Sequence, residues 1–335
     1  MPVLRPAAFL LLLGTAASQL TFHADEGLVL LKEFDASLIL ELDELTLSVD
    51  GNDMSDAIPL DGFELEASVS AVTSDEYQEV AGGRPVELVR DFEELVLAYE
   101  ARDQQDSQNL DKFEGVQVLF SWNEDDEQYD ISLTDDSEDV EPDFVKVLLE
   151  DMDFRALLPE EDASEGDSWE VASDAIGGVL LPGLSLSTVA DLAERDGQLP
   201  TQFMEQLEGL PEDLEMHCEY RGQREEAGVT VGVIGLSIEG SGSLELASVL
   251  ADEISLGDEV TPEIDQATLE LGLEGDGELL WDLEGGHMHS ISLEAELDIE
   301  LIVSATIEAQ GDTHQIDGSV LVVGDVEWSA TCSSD

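Results

Sequence analysis

The chain has 335 residues, 42% of them hydrophobic, which is enough to fill one large core or two ordinary ones and excludes wholesale disorder. It carries 81 Asp and Glu against 11 Lys and Arg, a formal net charge of −70. That excess excludes a nucleic-acid binder, which needs a basic footprint on phosphate, and disfavours electrostatic attachment to an anionic lipid surface.

At the N-terminus Arg5 precedes the apolar run Ala7–Leu13 and the small residues Gly14–Ser18. This is the pattern of a secretory signal peptide over residues 1–18, cleaved after Ala17 or Ser18. The run is too short to span a bilayer, which takes about 20 apolar residues. No second run of that kind follows, so the expectation is an exported chain, periplasmic or extracellular, with no integral membrane segment after signal removal. Residues 19–335 read as a single elongated β-rich domain, with a candidate sub-boundary in the acidic stretch 160–167.

From there the dominant period is two. Phe34, Ala36, Leu38, Leu40 and Leu42 alternate with polar or mixed positions, the phase slips at Asp43-Glu44, and Leu45, Leu47 and Val49 resume it, as a bulge would require. Phe63, Leu65, Ala67, Val69 and Ala71 repeat the pattern. Val116–Trp122 and Tyr129–Leu133 flank an acidic loop and predict a hairpin. Pro142 opens a stretch with Phe144, Leu148, Leu149 and Met152 that reads as a helix to Leu158; further helices are predicted over Ser187–Arg195 and Pro200–Gly209. The longest alternation runs over odd positions from His287 to Val303, after Trp281 and Leu283 and the turn signal Gly285-Gly286. Ile316–Trp328 closes the chain as strand. The predicted fold class is mainly β (β-rich α+β): a curved antiparallel sheet or open barrel with a few helices on one face.

Cys218 and Cys332 each share parity with apolar neighbours, and an oxidising compartment predicts that they pair; two unpaired buried thiols are the alternative. No lysine follows a glycine-rich loop, which excludes a Walker-type phosphate site, and His-Glu-x-x-His does not occur. With so many acids, a chosen pair of carboxylates carries no information, so no catalytic residue is assigned and the chain is read as not an enzyme. His287 and His289, at i and i+2 on a strand, could ligate a transition metal with a third ligand from a neighbour; a packed hairpin end is the alternative. Asp50, Asn52, Asp53 and Asp56 form a hard-oxygen cluster for loose, non-specific Ca²⁺ binding, without the glycine spacing or terminal Glu of an EF-hand. No dedicated cofactor is expected.

Gly82-Gly83-Arg84-Pro85, Arg90–Leu95, Phe120-Ser121-Trp122-Asn123, Leu149–Arg155 and Gly166-Asp167-Ser168-Trp169 together resemble an uncharacterised group of exported bacterial β-rich proteins. More loosely, long amphipathic strands with helices against them resemble the LolA-like convex sheets that carry lipoproteins or lipids in the periplasm. The first resemblance spans residues 80–172 and implies no catalytic residues; the second implies a fold, and fold does not fix function. The lead expectation is therefore an exported, non-catalytic protein that binds or carries an apolar or lipid-like ligand, through Phe144, Leu148, Met152, Trp169 and Trp281. The alternative is an acidic envelope or surface module that binds divalent cations loosely, and an exported hydrolase stands third.

Overall fold

The computed structural model describes residues 20–55, 64–101, 104–109, 114–134, 148–180, 183, 214–248, 262–309 and 312–334. The predicted helices over 187–195 and 200–209, Phe63, Asp56 and Phe144 lie outside these residues.

Within them the alternation becomes thirteen strands of one sheet. They are β1 (Val29–Val49), β2 (Asn52–Asp53), β3 (Glu64–Ala81), β4 (Arg84–Ala101), β5 (Gln104–Asn109), β6 (Val116–Asn123) and β7 (Gln128–Leu133), followed by β8 (Ser168–Glu170), β9 (Leu214–Glu226), β10 (Val229–Glu245), β11 (Pro262–Asp282), β12 (His287–Ala309) and β13 (Asp312–Ser334). The spatial order is β7-β6-β4-β3-β1-β13-β12-β11-β10-β9-β8, with β2 on β1 and β5 on β4, and every pairing is antiparallel. The sheet is curved and open, with β7 and β8 at its two ends. The chain thus starts in the middle, meanders out to β7, crosses to the far edge, and meanders back until β13 pairs with β1.

The phase slip at Asp43-Glu44 is a register shift between Leu42 and Glu44. The hairpins at Val116–Leu133 and across Gly285-Gly286 form as predicted. Gly286 is required at the second: its φ is +67°, and a Cβ there would lie 2.1 Å from the His23 ring, whose backbone N–H donates to the Gly286 carbonyl.

The described part of the crossover between β7 and β8, residues 148–167, covers one end of the sheet, and the face it covers is called inner here. Leu148, Phe154, Leu157 and Ala163 enter the main core with inward residues of the strands, among them Phe34, Phe120, Leu236, Leu293 and Trp328. Phe154 stacks on Trp328 at 5.4 Å between ring centroids, and Trp328 meets Phe34 at 5.7 Å. Leu20, Phe22 and Ala24 pack into the same core ahead of β1.

The described part of the predicted 142–158 helix is not helical: it is irregular, with a 3-10 turn at Arg155–Leu157. Its apolar residues are those of a segment buried between layers, not of one helical face. The Arg90 guanidinium takes the carbonyls of Leu149 and Glu150, which a helix would need for its own amides, and Phe154 sits at φ 56°. A short helix α1 (Ser173–Leu180) follows β8.

Candidate functional site

Two features stand out beyond core packing: a buried charge cluster beneath the crossover, and the apolar inner face that continues past the core.

The cluster grows from register. Asp75 of β3 lies directly opposite Arg90 of β4, and Lys32 of β1 opposite Thr73, so all three occupy inward positions among apolar neighbours. Arg90 binds Asp75 through two hydrogen bonds, Nε to Oδ1 at 2.7 Å and Nη2 to Oδ2 at 2.9 Å. Lys32 Nζ donates to Asp75 Oδ2 at 2.8 Å and to the Tyr77 hydroxyl at 2.9 Å, and pairs with Asp153 Oδ1 at 3.1 Å. Tyr77 in turn donates to Asp153 Oδ2 at 2.6 Å. Lys32, Asp75, Tyr77, Arg90 and Asp153 are each at most 2% exposed. Burial opposes the Asp75 carboxylate, yet the charges of Arg90 and Lys32 outweigh it and hold it at about 2. Burial likewise opposes the Lys32 ammonium, and Asp153 and Asp75 still raise it above its ordinary value.

Further out, Arg155 pairs with Glu150 and donates from Nε to Asp151 at 3.1 Å. Asp151 also accepts from the amides of Asp153 and Ala156, which tightens the turn. Burial pushes the Glu150 carboxyl up to about 7, with Arg155 acting against it and Asp151 adding to it. Beside this pair opens a cavity of about 340 Å³ lined by Tyr129, the crossover and α1.

The second feature is the inner face itself. Beyond Trp328 the inward positions remain apolar across neighbouring strands: Leu40 and Leu42 of β1 face Gly324 and Val322 of β13, and Val322 faces Ile299 of β12, which faces Leu271 of β11. These side chains are half-buried, whereas their counterparts under the crossover are buried. The outer face is acidic. Glu239, Glu274, Glu296 and Asp325 stand directly opposite one another on four successive strands, and Asp276, Glu294 and Glu327 form a second row.

The residues singled out from sequence fall in different places. Leu148, Met152 and Trp281 are packed in the interior at 5% exposure or less. Trp169 is half-buried on β8, donates to the Leu157 carbonyl, and lines a surface cavity of about 760 Å³ with Leu158, Pro159 and Val171. Asp50 is engaged by His314 and the Gln315 amide, and Asp53 by the Ser55 amide and hydroxyl; these bonds hold both carboxyls below their ordinary range. Asn52 donates to the Val49 carbonyl. The β11–β12 register slips so that Ser290 faces Leu280 while Met288 faces Trp281, which leaves His289 in a bulge and interrupts the alternation between His287 and His289. The His287 ring instead bonds the Met288 carbonyl. Among the described residues the three-ligand grouping is Glu215, His217 and Glu239, with ligand atoms within 4.8 Å of one another, all exposed.

The expected disulfide is not formed: Cys218 and Cys332 are free and buried. Both do point inward, but Cys218 is on β9 and Cys332 on β13, four strands apart in the sheet. At about 4.8 Å per strand the path between them is roughly 19 Å, against the 7 Å or less between Cα atoms that a bridge tolerates. Burial pushes both thiols up to about 12.

Sequence reasoning missed Lys32, Asp75, Tyr77, Arg90, Glu150 and Asp153 as a group. The signal was present, since Lys32 interrupts Leu30 and Phe34, and Arg90 interrupts Leu88 and Phe92, at inward positions.

No helix among the described residues is long and apolar enough to cross a membrane. No family model matches the chain, and no curated protein matches it. Among solved structures, a lipovitellin described for its lipid–protein interactions is 10% identical, with a TM-score of 0.34; the match covers 90% of this chain, which spans 25% of the lipovitellin chain. The outer membrane protein OprG from Pseudomonas aeruginosa is 6% identical with a TM-score of 0.19, covering 90% of this chain and 97% of its own.

Proposed function

We propose that the chain is an exported, non-catalytic β-rich protein that holds an apolar or lipid-like ligand against the inner face of its sheet, beyond the packed core. The observation that carries this reading is the inward row Ile299, Val322 and Leu42, half-buried where the same face under the crossover is buried; at its β11 end Leu271 packs on a second, smaller cluster of Leu244, Leu246 and Ala267. An apolar surface of this extent gains about 25 cal/mol for each Å² that a ligand removes from water. Lys32, Asp75, Arg90, Tyr77 and Asp153 support a structural role for the inner part of the cluster, because they are spent on one another and shielded from solvent. Export is supported by the signal-like N-terminus; cleavage after Ala17 or Ser18 also leaves Leu20, Phe22 and Ala24 to their core contacts.

The test is fluorescence quenching by a brominated fatty acid, with native mass spectrometry of the purified protein for co-purifying lipid. Trp328 stands at the inner end of the apolar face, so saturable quenching of its emission is expected in a chain whose other tryptophans are replaced by Phe. Leu42→Asp and Ile299→Asp should each abolish it. Undiminished quenching in both variants, or none in the parent, would overturn the reading.

A second reading is favoured by the outer rows of opposed carboxylates: an envelope or surface module that condenses divalent cations loosely. It predicts Ca²⁺-dependent melting without a defined stoichiometry, and equal effects of Ca²⁺ and Mg²⁺.

A further inference from the structure

Glu150 is the acid left over beneath the crossover. Three bases gather there, Lys32, Arg90 and Arg155, with four acids, Asp75, Glu150, Asp151 and Asp153, leaving one negative charge in excess. Asp75 is held by Arg90 and Lys32, Asp153 by Lys32 and Tyr77, and Asp151 by Arg155 and two backbone amides. Glu150 meets Arg155 through Oε2 alone. Its Oε1 is buried with no hydrogen-bond partner, in a residue 5% exposed, and a buried carboxylate oxygen left so costs free energy until a donor reaches it.

Glu150 and Arg155 line the cavity of about 340 Å³, and most of its remaining wall is apolar: Leu149, Phe154, Ala175 and Val179. We propose that this cavity binds a small organic ammonium ion, with the Glu150 carboxylate as its anchor and the apolar wall around its hydrocarbon body. The volume is at the lower end for small-molecule sites and suits a body the size of a benzyl or hexyl group. An organic anion is disfavoured by Asp151 and Asp153 beside the anchor and by the field of a chain of net charge −70. The site shares no lining residue with the apolar inner face, so it stands or falls independently of the ligand proposed there.

The ammonium ion binds the ionised form of Glu150. The groups that face this carboxyl are Arg155, Asp151 and Asp153 from its own segment, Arg90 from β4 and Tyr129 from β7, while α1 presents Ala175, Gly178 and Val179 to the cavity. With Glu150 held at about 7, affinity should fall about tenfold between pH 8 and pH 6, as the anchor takes up a proton that the ligand must displace.

The experiment is calorimetric titration of the full chain with benzylammonium, benzyl alcohol and phenylacetate, in enough salt to screen the acidic outer face. One benzylammonium ion is expected per chain, with benzyl alcohol at least about tenfold weaker and phenylacetate not bound. Glu150→Gln should weaken benzylammonium by about tenfold or more and remove the pH dependence. Gly178→Leu touches no charge, but its side chain would enter the cavity where a Cβ already lies 3.4 Å from Leu149 Cδ1, so binding should be lost there too. The proposal is overturned by absence of saturable binding in the parent chain, by benzyl alcohol binding as tightly as the ammonium ion, or by retained affinity in Gly178→Leu. Should Glu150→Gln not fold, the pH profile of the parent and the Gly178→Leu variant decide.

Discussion

Replacing Lys32 by Met tests whether the buried charges hold one another up. Lys32 is 2% exposed and bridges Asp75 and Asp153, which are themselves 0% and 1% exposed. Methionine keeps most of the volume, so the cavity contribution is small and the electrostatic one dominates. Asp75 retains both hydrogen bonds from Arg90, but Asp153 keeps only the Tyr77 hydroxyl and becomes an uncompensated buried anion. Removing one partner of a buried pair costs about 3–5 kcal/mol. Asp153→Asn added to Lys32→Met removes the stranded charge, so the double variant should recover about 2 kcal/mol relative to Lys32→Met alone, a coupling typical of contacting residues. The more exposed pair Arg224–Glu278, at 2.7 Å with 44% and 29% exposure, serves as control. Arg224→Met should cost no more than about 1 kcal/mol. Urea unfolding at pH 7 measures all four proteins, with midpoints compared at equal slope. A Lys32→Met loss no larger than that of Arg224→Met, or a double variant no more stable than Lys32→Met, refutes the reasoning.

Acid should weaken the fold as pH falls from about 4 towards 2, because Asp75 titrates at about 2 folded and near its ordinary value unfolded; its contribution of about 2 kcal/mol is present above that window and lost through it. Asp75→Asn should show less of this acid loss in pH-dependent urea midpoints. Glu150 acts in the opposite sense: its carboxyl is raised to about 7, so its ionisation destabilises the folded state, by on the order of 3 kcal/mol, as pH rises from 4.5 through 7, and Glu150→Gln should flatten that decline. On the outer face, the directly opposed pairs Glu239–Glu274, Glu274–Glu296, Glu296–Asp325, Asp276–Glu294 and Glu294–Glu327 repel by about 0.8 kcal/mol each in water at ~5 Å. Raising NaCl from about 0.02 to 1 M should therefore stabilise the protein by about 2 kcal/mol, and a melting temperature unmoved by salt would contradict it. Reducing agent should leave the melting temperature unchanged, and a thiol reagent should label Cys218 and Cys332 only after denaturation, since both are buried and unpaired.

How far the sequence carried depended on the range of the interaction. Alternation is a local signal, and it located β1, β3, β6, β7, β12 and β13, the bulge after Leu42, the hairpin into β7 and the turn at Gly285-Gly286, while β4, β10 and most of β11 went unread. Strand neighbours are not local: nothing in the pattern says that β13 returns to pair with β1, so two inward cysteines could be matched by parity and still lie four strands apart. The apolar density around Leu148 and Met152 was legible as burial but not as conformation, because the deciding partner, Arg90, sits 59 residues earlier and captures the Leu149 carbonyl. The cluster could have been suspected from Lys32, Asp75 and Arg90 at inward positions, since a charge there must find a partner. Which partner it finds depended on the crossover.

A sheet built from such regular alternation has a difficulty that the cluster addresses. A slip of one residue turns every apolar side chain to water and is strongly opposed. A slip of two preserves the alternation: Leu269, Leu271 and Leu273 would meet Leu301, Ile299 and Leu297 almost as well one pair along. Unique inward residues are what penalise it. With Asp75 opposite Arg90, a two-residue slip of β3 against β4 removes the paired hydrogen bonds and leaves two buried charges apart, at a cost comparable to the ~3–5 kcal/mol of breaking a buried pair. Lys32 extends the same constraint to β1 by reaching Asp75 from the neighbouring strand, and Asp153 extends it to the crossover. In a chain with 11 basic residues, placing Lys32, Arg90 and Arg155 here withholds them from the acidic surface, where they would relieve repulsion, and spends them on register instead.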